Sequence, residues 1–183
     1  MASTRVNNRA TELSTFAEGL FERYRYPDWL RAHSRIVGAL ALRLAQAHAA
    51  TGSALDVAAV ALGGYLHDIG KSPLLAGEPR DHNLLGPLIL VAEGLPDLAE
   101  LSRRHPVYAP RDPATAPRTL AERIVYYADR RGGQRVVTLE ERIDEQLARF
   151  PDLARGRGQD LAMARAIETE LFQGIALRPE DLR

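Results

Sequence analysis

Residues 63–71 read GGYLHDIGK and carry the strongest signal in the sequence. They close a run of small and apolar residues, 57–66, that is typical of a buried helix. His67 and Asp68 offer a nitrogen ligand and an oxygen ligand side by side, a pair that can bind a divalent metal where a helix ends. Taken alone, the pair is more simply a buried histidine and a surface aspartate ahead of a glycine cap.

Three observations favour a metal site over this simpler interpretation. The pair lies at the end of an apolar segment and not on a charged face, and further histidines and aspartates recur on separate predicted helices. Lys71 is the only lysine of the chain, whereas the other 23 of its 24 basic residues are arginine. A compact ammonium group retained beside His67 and Asp68 suggests chemistry that uses a point charge.

The composition limits the class of protein. A chain of 183 residues with 45% hydrophobic content predicts one domain with a substantial core. The 24 acidic and 24 basic residues cancel, so neither bulk nucleic-acid binding nor attachment to an anionic membrane is expected. The lack of cysteine excludes disulfides, thiolate zinc sites and a cysteine nucleophile. We see no signal peptide and no membrane span, which predicts a cytoplasmic protein.

Apolar residues recur with helical spacing along most of the chain, which predicts an all-α bundle of about six to eight helices. Asp28 is expected to cap the second helix. Two capping boxes are expected, Thr119 with Glu122 and Thr138 with Glu141. The predicted helices cover residues 11–24, 28–50, 54–67, 81–93, 96–105, 119–131, 139–150 and 159–172.

The remaining segments are predicted to be irregular. Residues 1–10 are polar and expected to fray, and residues 178–183 are expected to form a tail. Four prolines in residues 106–118 predict an ordered or lid-like loop without regular structure, which would shape specificity. Only Val136 and Val137 resemble a strand, too few residues for a sheet.

Histidines and an aspartate on other helices extend the candidate site. His33 lies on the apolar stripe of its helix, where a lone histidine is more often a satisfied core residue. Asp129 lies on the same side of its helix as Ile124 and Ala128, and a buried carboxylate needs a cation or hydrogen-bond donors. A metal would supply that partner. His48, at the polar end of the second helix, is expected to be solvated.

The order His33, His67-Asp68 and Asp129, with each element on its own helix, resembles the HD superfamily of metal-dependent phosphohydrolases. The resemblance implies a helical bundle in which these four residues are metal ligands. It covers about residues 28–150 and leaves 151–183 as a C-terminal helix and tail of the same domain, 1–183. The strings that carry it are AHSRIVGALA at 32–41, HDIGK at 67–71 and VYYADRR at 125–131.

The same resemblance bears on the number of metal ions. Members that hold two ions have two more histidines between the HD pair and the last aspartate. His82 and His105 occupy that interval here, and Asp68 would then bridge the ions. Two ions are favoured over one, with iron, manganese, magnesium, cobalt or zinc as candidates. The Gly-Tyr-Pro signature of the branch that cleaves cyclic di-GMP is absent, because Pro106 and Val107 follow His105, and that substrate is not expected.

The catalytic roles are assigned to Asp68 and Lys71. Bound metal ions lower the pKa of a coordinated water and neutralise phosphate oxygens, and Lys71 would donate to a non-bridging phosphate oxygen. Arg104, Arg130 and Arg135 are further candidates for substrate binding through guanidinium forks. Arg130 also suits the last turn of a helix. Arg135 resembles the phosphate-contacting arginine of bacterial HD hydrolases that split diadenosine tetraphosphate.

The function predicted from these residues is hydrolysis of a phosphomonoester, phosphodiester or phosphoanhydride of a small substrate, with a nucleotide as the leading class. Two alternatives stay open: a metal-binding regulatory module without turnover, and a di-iron oxygenase of the HD type. A homodimer is compatible with the sequence, but nothing in the sequence decides the oligomeric state.

Overall fold

The apolar segment ahead of His67 forms the central helix of the fold, α3 (Val57–Leu66). The structure is a computed structural model and describes residues 2–149 and 151–182. Within these residues it contains no strand, only an isolated bridge that pairs Gly132 with Val136. The other helices are α1 (Ala2–Arg23), α2 (Asp28–Ala50), α4 (His82–Ala92), α5 (Ala99–Arg103), α6 (Leu120–Arg131), α7 (Leu139–Arg149) and α8 (Arg157–Phe172). The all-α prediction and the predicted number of helices are confirmed.

Helix α3 has no charged residue and packs against α1, α2, α5 and α6, so most of its surface is buried. Two glycines allow α2 and α3 to approach closely: a Cβ atom at Gly64 would lie 2.8 Å from the Cβ of Ala41 and 3.0 Å from the Cα of Gly38. This close packing brings His33 on α2 next to His67, which directly follows α3.

The predicted helix boundaries depend on local capping, and most of them are confirmed. Thr119 Oγ1 accepts from the Glu122 backbone N–H at 3.2 Å, and the Glu122 carboxylate accepts from the Thr119 N–H at 3.2 Å. The second capping box, Thr138 with Glu141, is also formed, with distances of 2.9 and 3.1 Å. Gly132 ends α6, as the sequence predicted.

Three local predictions were wrong. Helix α1 begins at Ala2 and not at residue 11. The prediction missed the first turns of this helix because they are polar and show no apolar periodicity. Pro27 is the N-cap of α2, and Asp28 is its first residue. There the negative charge of the carboxylate interacts favourably with the positive end of the helix dipole. His48 is buried against α8 and not solvated, and burial lowers its pKa. The predicted end of α7 at residue 150 lies outside the described residues.

The proline-rich loop, residues 106–118, is held at both ends and contains one 3-10 turn, Ala109–Arg111. The guanidinium of Arg104 donates to the carbonyls of Ala114 and Ala116 at 3.0 and 2.9 Å. Arg111 forms a two-pronged ion pair with Asp160 of α8, at 2.6 and 2.5 Å, and Asp160 is fully buried. The loop is therefore tied to the end of α5 and to α8.

Within the described part of the chain, we find no helix that combines the length and the hydropathy needed to cross a membrane.

Candidate metal centre

Helices α2, α3 and α6 bring four of the predicted ligands to one buried point. The Nε2 atoms of His33 and His67 lie 3.1 Å apart. One carboxylate oxygen of Asp68, Oδ2, lies 3.5 and 3.4 Å from these two nitrogens. Asp129 Oδ1 lies 3.3 Å from His33 Nε2 and 3.8 Å from His67 Nε2. Ligand atoms from α2, from α6 and from the two residues that follow α3 thus converge, and all four side chains are buried.

The other two predicted ligands face the second oxygen of Asp68. His105 Nε2 lies 3.1 Å from Asp68 Oδ1, and His82 Nε2 lies 3.6 Å from the same oxygen. The two Nε2 atoms lie 3.3 Å apart. His82 is the first residue of α4, and His105 follows the short helix α5. Asp68 therefore points one oxygen at each of two groups of histidines.

The hydrogen bonds behind the imidazoles fix which nitrogen carries the proton. His67 Nδ1 lies 2.8 Å from the carbonyl of Gly64, and His105 Nδ1 lies 2.5 Å from the carbonyl of Ser102. A carbonyl only accepts, so both Nδ1 atoms are protonated and both Nε2 atoms present a lone pair. His82 Nδ1 lies 2.5 Å from a carboxylate oxygen of Asp81, which gives the same tautomer in its neutral form.

This arrangement fits a bound cation. Lone pairs on Nε2 atoms face one another and face carboxylate oxygens, which is unfavourable unless a positive charge lies between them. Asp68 Oδ1 is buried and accepts no hydrogen bond among the described residues. Neutral imidazoles and carboxylates at these separations are ligands for a divalent transition metal. Two triads bring three ligand atoms close enough together to share an ion, one of His33, His67 and Asp129 and one of His67, Asp68 and His105.

Comparison with known proteins agrees with this geometry. A family model, the HD domain, matches residues 30–131, which is more than half of the chain and includes all six predicted ligands. The chain belongs to the HD domain family. Searches of curated proteins and of solved structures gave no match. HD domains form a superfamily of metal-dependent phosphohydrolases. We refer to the six predicted ligands that converge here as the HD site.

The charges around the HD site keep its two buried carboxylates ionised, as metal binding requires. Burial raises the pKa of Asp68, but the Lys71 ammonium, with the neighbouring histidines, outweighs it and holds that pKa well below its usual range. Burial likewise raises the pKa of Asp129, but the Arg130 guanidinium and a hydrogen bond with His33 outweigh it and hold that pKa well below its usual range. Burial lowers the pKa of His105 to about 4, so this imidazole is neutral at pH 7.

A cavity of about 480 Å³ opens beside the HD site, and His82 and His105 form part of its wall. Lys71 also lines it, with its Nζ atom 2.7 Å from Asp68 Oδ2. The loop 106–118 contributes Pro106, Val107 and Tyr108 to the lining of the cavity. The cavity is thus bordered by metal ligands, by an ammonium group and by the loop that was expected to shape specificity.

Arg130 lies at this cavity, but its guanidinium is already engaged. It is buried, bonded to the Asp129 carboxylate, and its Nη1 atom donates to Gln146 Oε1 at 2.6 Å. It also lies over the ring of Tyr126, with 5.2 Å between the guanidinium carbon and the ring centroid. Arg130 therefore supports a ligand of the HD site directly, and its contact with substrate stays a prediction.

Arg104 and Arg135 lie elsewhere. Among the described residues that line the cavity, neither is present. Arg104 holds the loop and pairs with Glu100 at 2.8 Å. Arg135 is 72% exposed, pairs with Glu141 at 3.3 Å, and borders a separate groove of about 680 Å³. The structure does not bring these two arginines to the site, and their substrate-binding role stays a prediction without geometric support.

Three supporting residues were missed by the sequence analysis: Asp81, Arg142 and Gln146. Asp81 precedes a ligand, and a carboxylate next to a histidine could have indicated a partner for the imidazole. Arg142 lies on α7 between Leu139 and Ile143, both of which are buried. A charged residue on the apolar face of a helix indicates a buried partner, which here is Asp129.

Proposed function

We propose that the protein is a metal-dependent phosphohydrolase that acts on small phosphorylated substrates, with nucleotides as the leading class, and that its site holds two divalent ions. The observation that carries this proposal is the position of Asp68. Its two carboxylate oxygens face two different groups of imidazole nitrogens, at 3.1 to 3.6 Å. A carboxylate in this position is suited to bridge two ions.

The residues divide into two ligand sets. His33, His67 and Asp129 would hold one ion together with Asp68 Oδ2, and His82 and His105 would hold the other together with Asp68 Oδ1. Ions of this kind lower the pKa of coordinated water and neutralise phosphate oxygens. The predominance of imidazole favours a transition metal such as iron or zinc over magnesium, which prefers oxygen ligands.

Lys71 is the group that favours a phosphorylated substrate. Its ammonium has three N–H donors, of which one is used on Asp68, and the side chain is 35% exposed toward the cavity. A phosphate oxygen placed in the cavity could accept one of the other donors. The same six ligands could hold a di-iron centre that activates oxygen, but an ammonium group beside the bridging carboxylate favours an anionic substrate.

The dimensions of the site favour a small substrate. The cavity volume of about 480 Å³ lies within the roughly 300–1,000 Å³ typical of small-molecule sites. The chain has no net charge, so it offers no broad electrostatic attraction for a polynucleotide. A nucleotide combines the phosphate that Lys71 would bind with a ring system that Pro106 and Tyr108 could contact.

The test is metal content measured by elemental mass spectrometry, on protein purified without a histidine tag or added metal. We expect about two equivalents of a transition metal per chain, together with hydrolysis of members of a nucleotide panel that a chelator abolishes and added metal restores. Asp68→Ala removes the shared ligand and should abolish both metal binding and turnover. Asp97→Ala, at an exposed position, is the matched control and should change neither.

Two results would contradict the proposal. Turnover that survives complete removal of metal would exclude metal-dependent catalysis. Asp68→Ala protein that keeps both ions and full activity would show that the site lies elsewhere. A single equivalent of metal per chain would be compatible with metal-dependent hydrolysis, but it would contradict the second ion and with it the role of His82 and His105 as ligands.

A further inference from the structure

Helix α7 (Leu139–Arg149) follows the residues that match the HD domain, 30–131, yet it contacts the metal centre directly. Its buried Arg142 donates two hydrogen bonds to one predicted ligand, Asp129. The Nε atom donates to the main-chain carbonyl of Asp129 at 3.1 Å, and Nη2 donates to Asp129 Oδ1 at 3.1 Å. The third arm, Nη1, donates to Glu145 at 2.9 Å. A single planar guanidinium therefore holds both the backbone and the side chain of Asp129.

The two oxygens of Asp129 have different surroundings. Oδ2 is bonded to Arg130, which is held in turn by Gln146 of α7 at 2.6 Å. Oδ1 accepts from Arg142 and is the oxygen that lies 3.3 Å from His33 Nε2. Because Oδ2 is engaged, only Oδ1 is directed toward the imidazoles, and the carboxylate cannot rotate without breaking the contacts to both arginines.

We propose that Arg142 is a positioning residue of the metal centre, which fixes Asp129 so that it presents the single oxygen Oδ1 to the ion. This inference rests on the proposed metal-dependent function. An arginine suits the role because its rigid fork can donate to the carbonyl and to the carboxylate at the same time, whereas a lysine ammonium is a point donor on a flexible stem. Hydrogen-bonding partners of metal ligands typically contribute 10–100-fold in metal affinity or activity.

Arg142 could act through its geometry or through its charge, and the two effects have opposite signs. A guanidinium close to a ligand oxygen repels a divalent cation, so an arginine that acted by charge alone would weaken metal binding. An arginine that orients the carboxylate strengthens it. Removal of Arg142 should therefore lower metal affinity if positioning dominates, and raise it if charge repulsion dominates.

The test is titration of the metal-free protein with Mn²⁺, in the wild type and in Arg142→Lys and Arg142→Met. We expect both variants to bind the ion of the His33, His67 and Asp129 set about 10–100-fold more weakly than the wild type. Arg165→Met is the matched control: it removes another arginine paired with a carboxylate of α7, Glu140, at the surface. That variant should bind Mn²⁺ as the wild type does.

Three outcomes would overturn the inference. In the first, Arg142→Lys binds Mn²⁺ as tightly as the wild type does. In the second, Arg142→Met binds Mn²⁺ more tightly than the wild type does. In the third, the metal-free variants lose thermal stability but bind Mn²⁺ with normal affinity. Should Arg142→Met fail to fold, Glu145→Gln weakens the same guanidinium's outer contact at a partly exposed position, and a several-fold loss of Mn²⁺ affinity would support the inference. Wild-type protein that binds none of Mn²⁺, Fe²⁺, Co²⁺ and Zn²⁺ would overturn the metal centre itself, which separates the two failures.

Discussion

The two halves of the proposed metal centre are built differently. His33, His67 and Asp129 are supplied by core helices, and their side chains are at most 4% exposed. His82 is 23% exposed and starts α4 at the wall of the cavity, although its neighbour His105 is buried. The first half is thus embedded in the packing of α2, α3 and α6. The second half depends on a helix terminus and on the segment after α5.

The supporting contacts differ in the same way. In the buried half, Asp129 is held by two arginines, and His67 by a main-chain carbonyl. In the half at the cavity, His105 is also held by a main-chain carbonyl, but His82 is held by Asp81, a side chain that is itself 47% exposed. We therefore expect the buried half to bind its ion more tightly, and the half at the cavity to exchange its ion and to meet the substrate.

The largest expected difference follows from removing one ligand from each half. His33→Ala should lose the tightly bound ion and, with it, all measurable turnover. His82→Ala should keep about one equivalent of metal per chain and lose activity while its fold is unchanged. Elemental analysis of the two variants, purified side by side, measures the difference. Equal metal loss in both variants would show that the two halves bind as one unit.

Local sequence patterns pointed to the half that lies in the core, whereas His82 and His105 were predicted from the family resemblance alone. His33 and Asp129 lie on apolar helix faces, and the capping boxes at Thr119 and Thr138 locate two helices, because these signals depend only on neighbours in the chain. The HDIGK string at 67–71 and its resemblance to the HD superfamily then gave the order of the ligands.

What could not be predicted depends on contacts between distant segments. Arg104 was expected to bind the substrate, whereas in the structure its guanidinium donates to two carbonyls of the proline-rich loop. His48 was expected in solvent, but α8 packs over it. The roles of Arg142 and Gln146 are set by how α7 crosses the end of α6, a geometry that no local pattern of residues encodes.

A smaller effect is expected from Lys71, which touches the shared ligand without being one. Lys71→Ala should lower kcat/KM for a phosphorylated substrate by roughly 10–100-fold, because a hydrogen bond to a charged group contributes about 1.5–3 kcal/mol. Metal content should stay at the wild-type level in both halves. Lys71→Arg keeps the charge and should recover part of the activity. Loss of metal in Lys71→Ala would show instead that the lysine maintains the structure of the centre through Asp68.

The smallest expected effect tests whether the loop supports the half at the cavity. Tyr108 of the loop donates to Asp81 at 3.1 Å, and Asp81 in turn holds His82 at 2.5 Å. Tyr108→Phe removes one hydrogen bond worth about 0.5–1.5 kcal/mol, so the second ion should bind up to about tenfold more weakly. The first ion should be unaffected, because among the described residues no side-chain hydrogen bond joins Tyr108 to Asp129, Arg130 or Arg142. Stepwise Mn²⁺ titration separates the two affinities.

If Tyr108→Phe lowered the affinity for both ions, the two halves would be coupled through Asp68, the ligand that they share. If neither changed, the loop would act on the substrate alone.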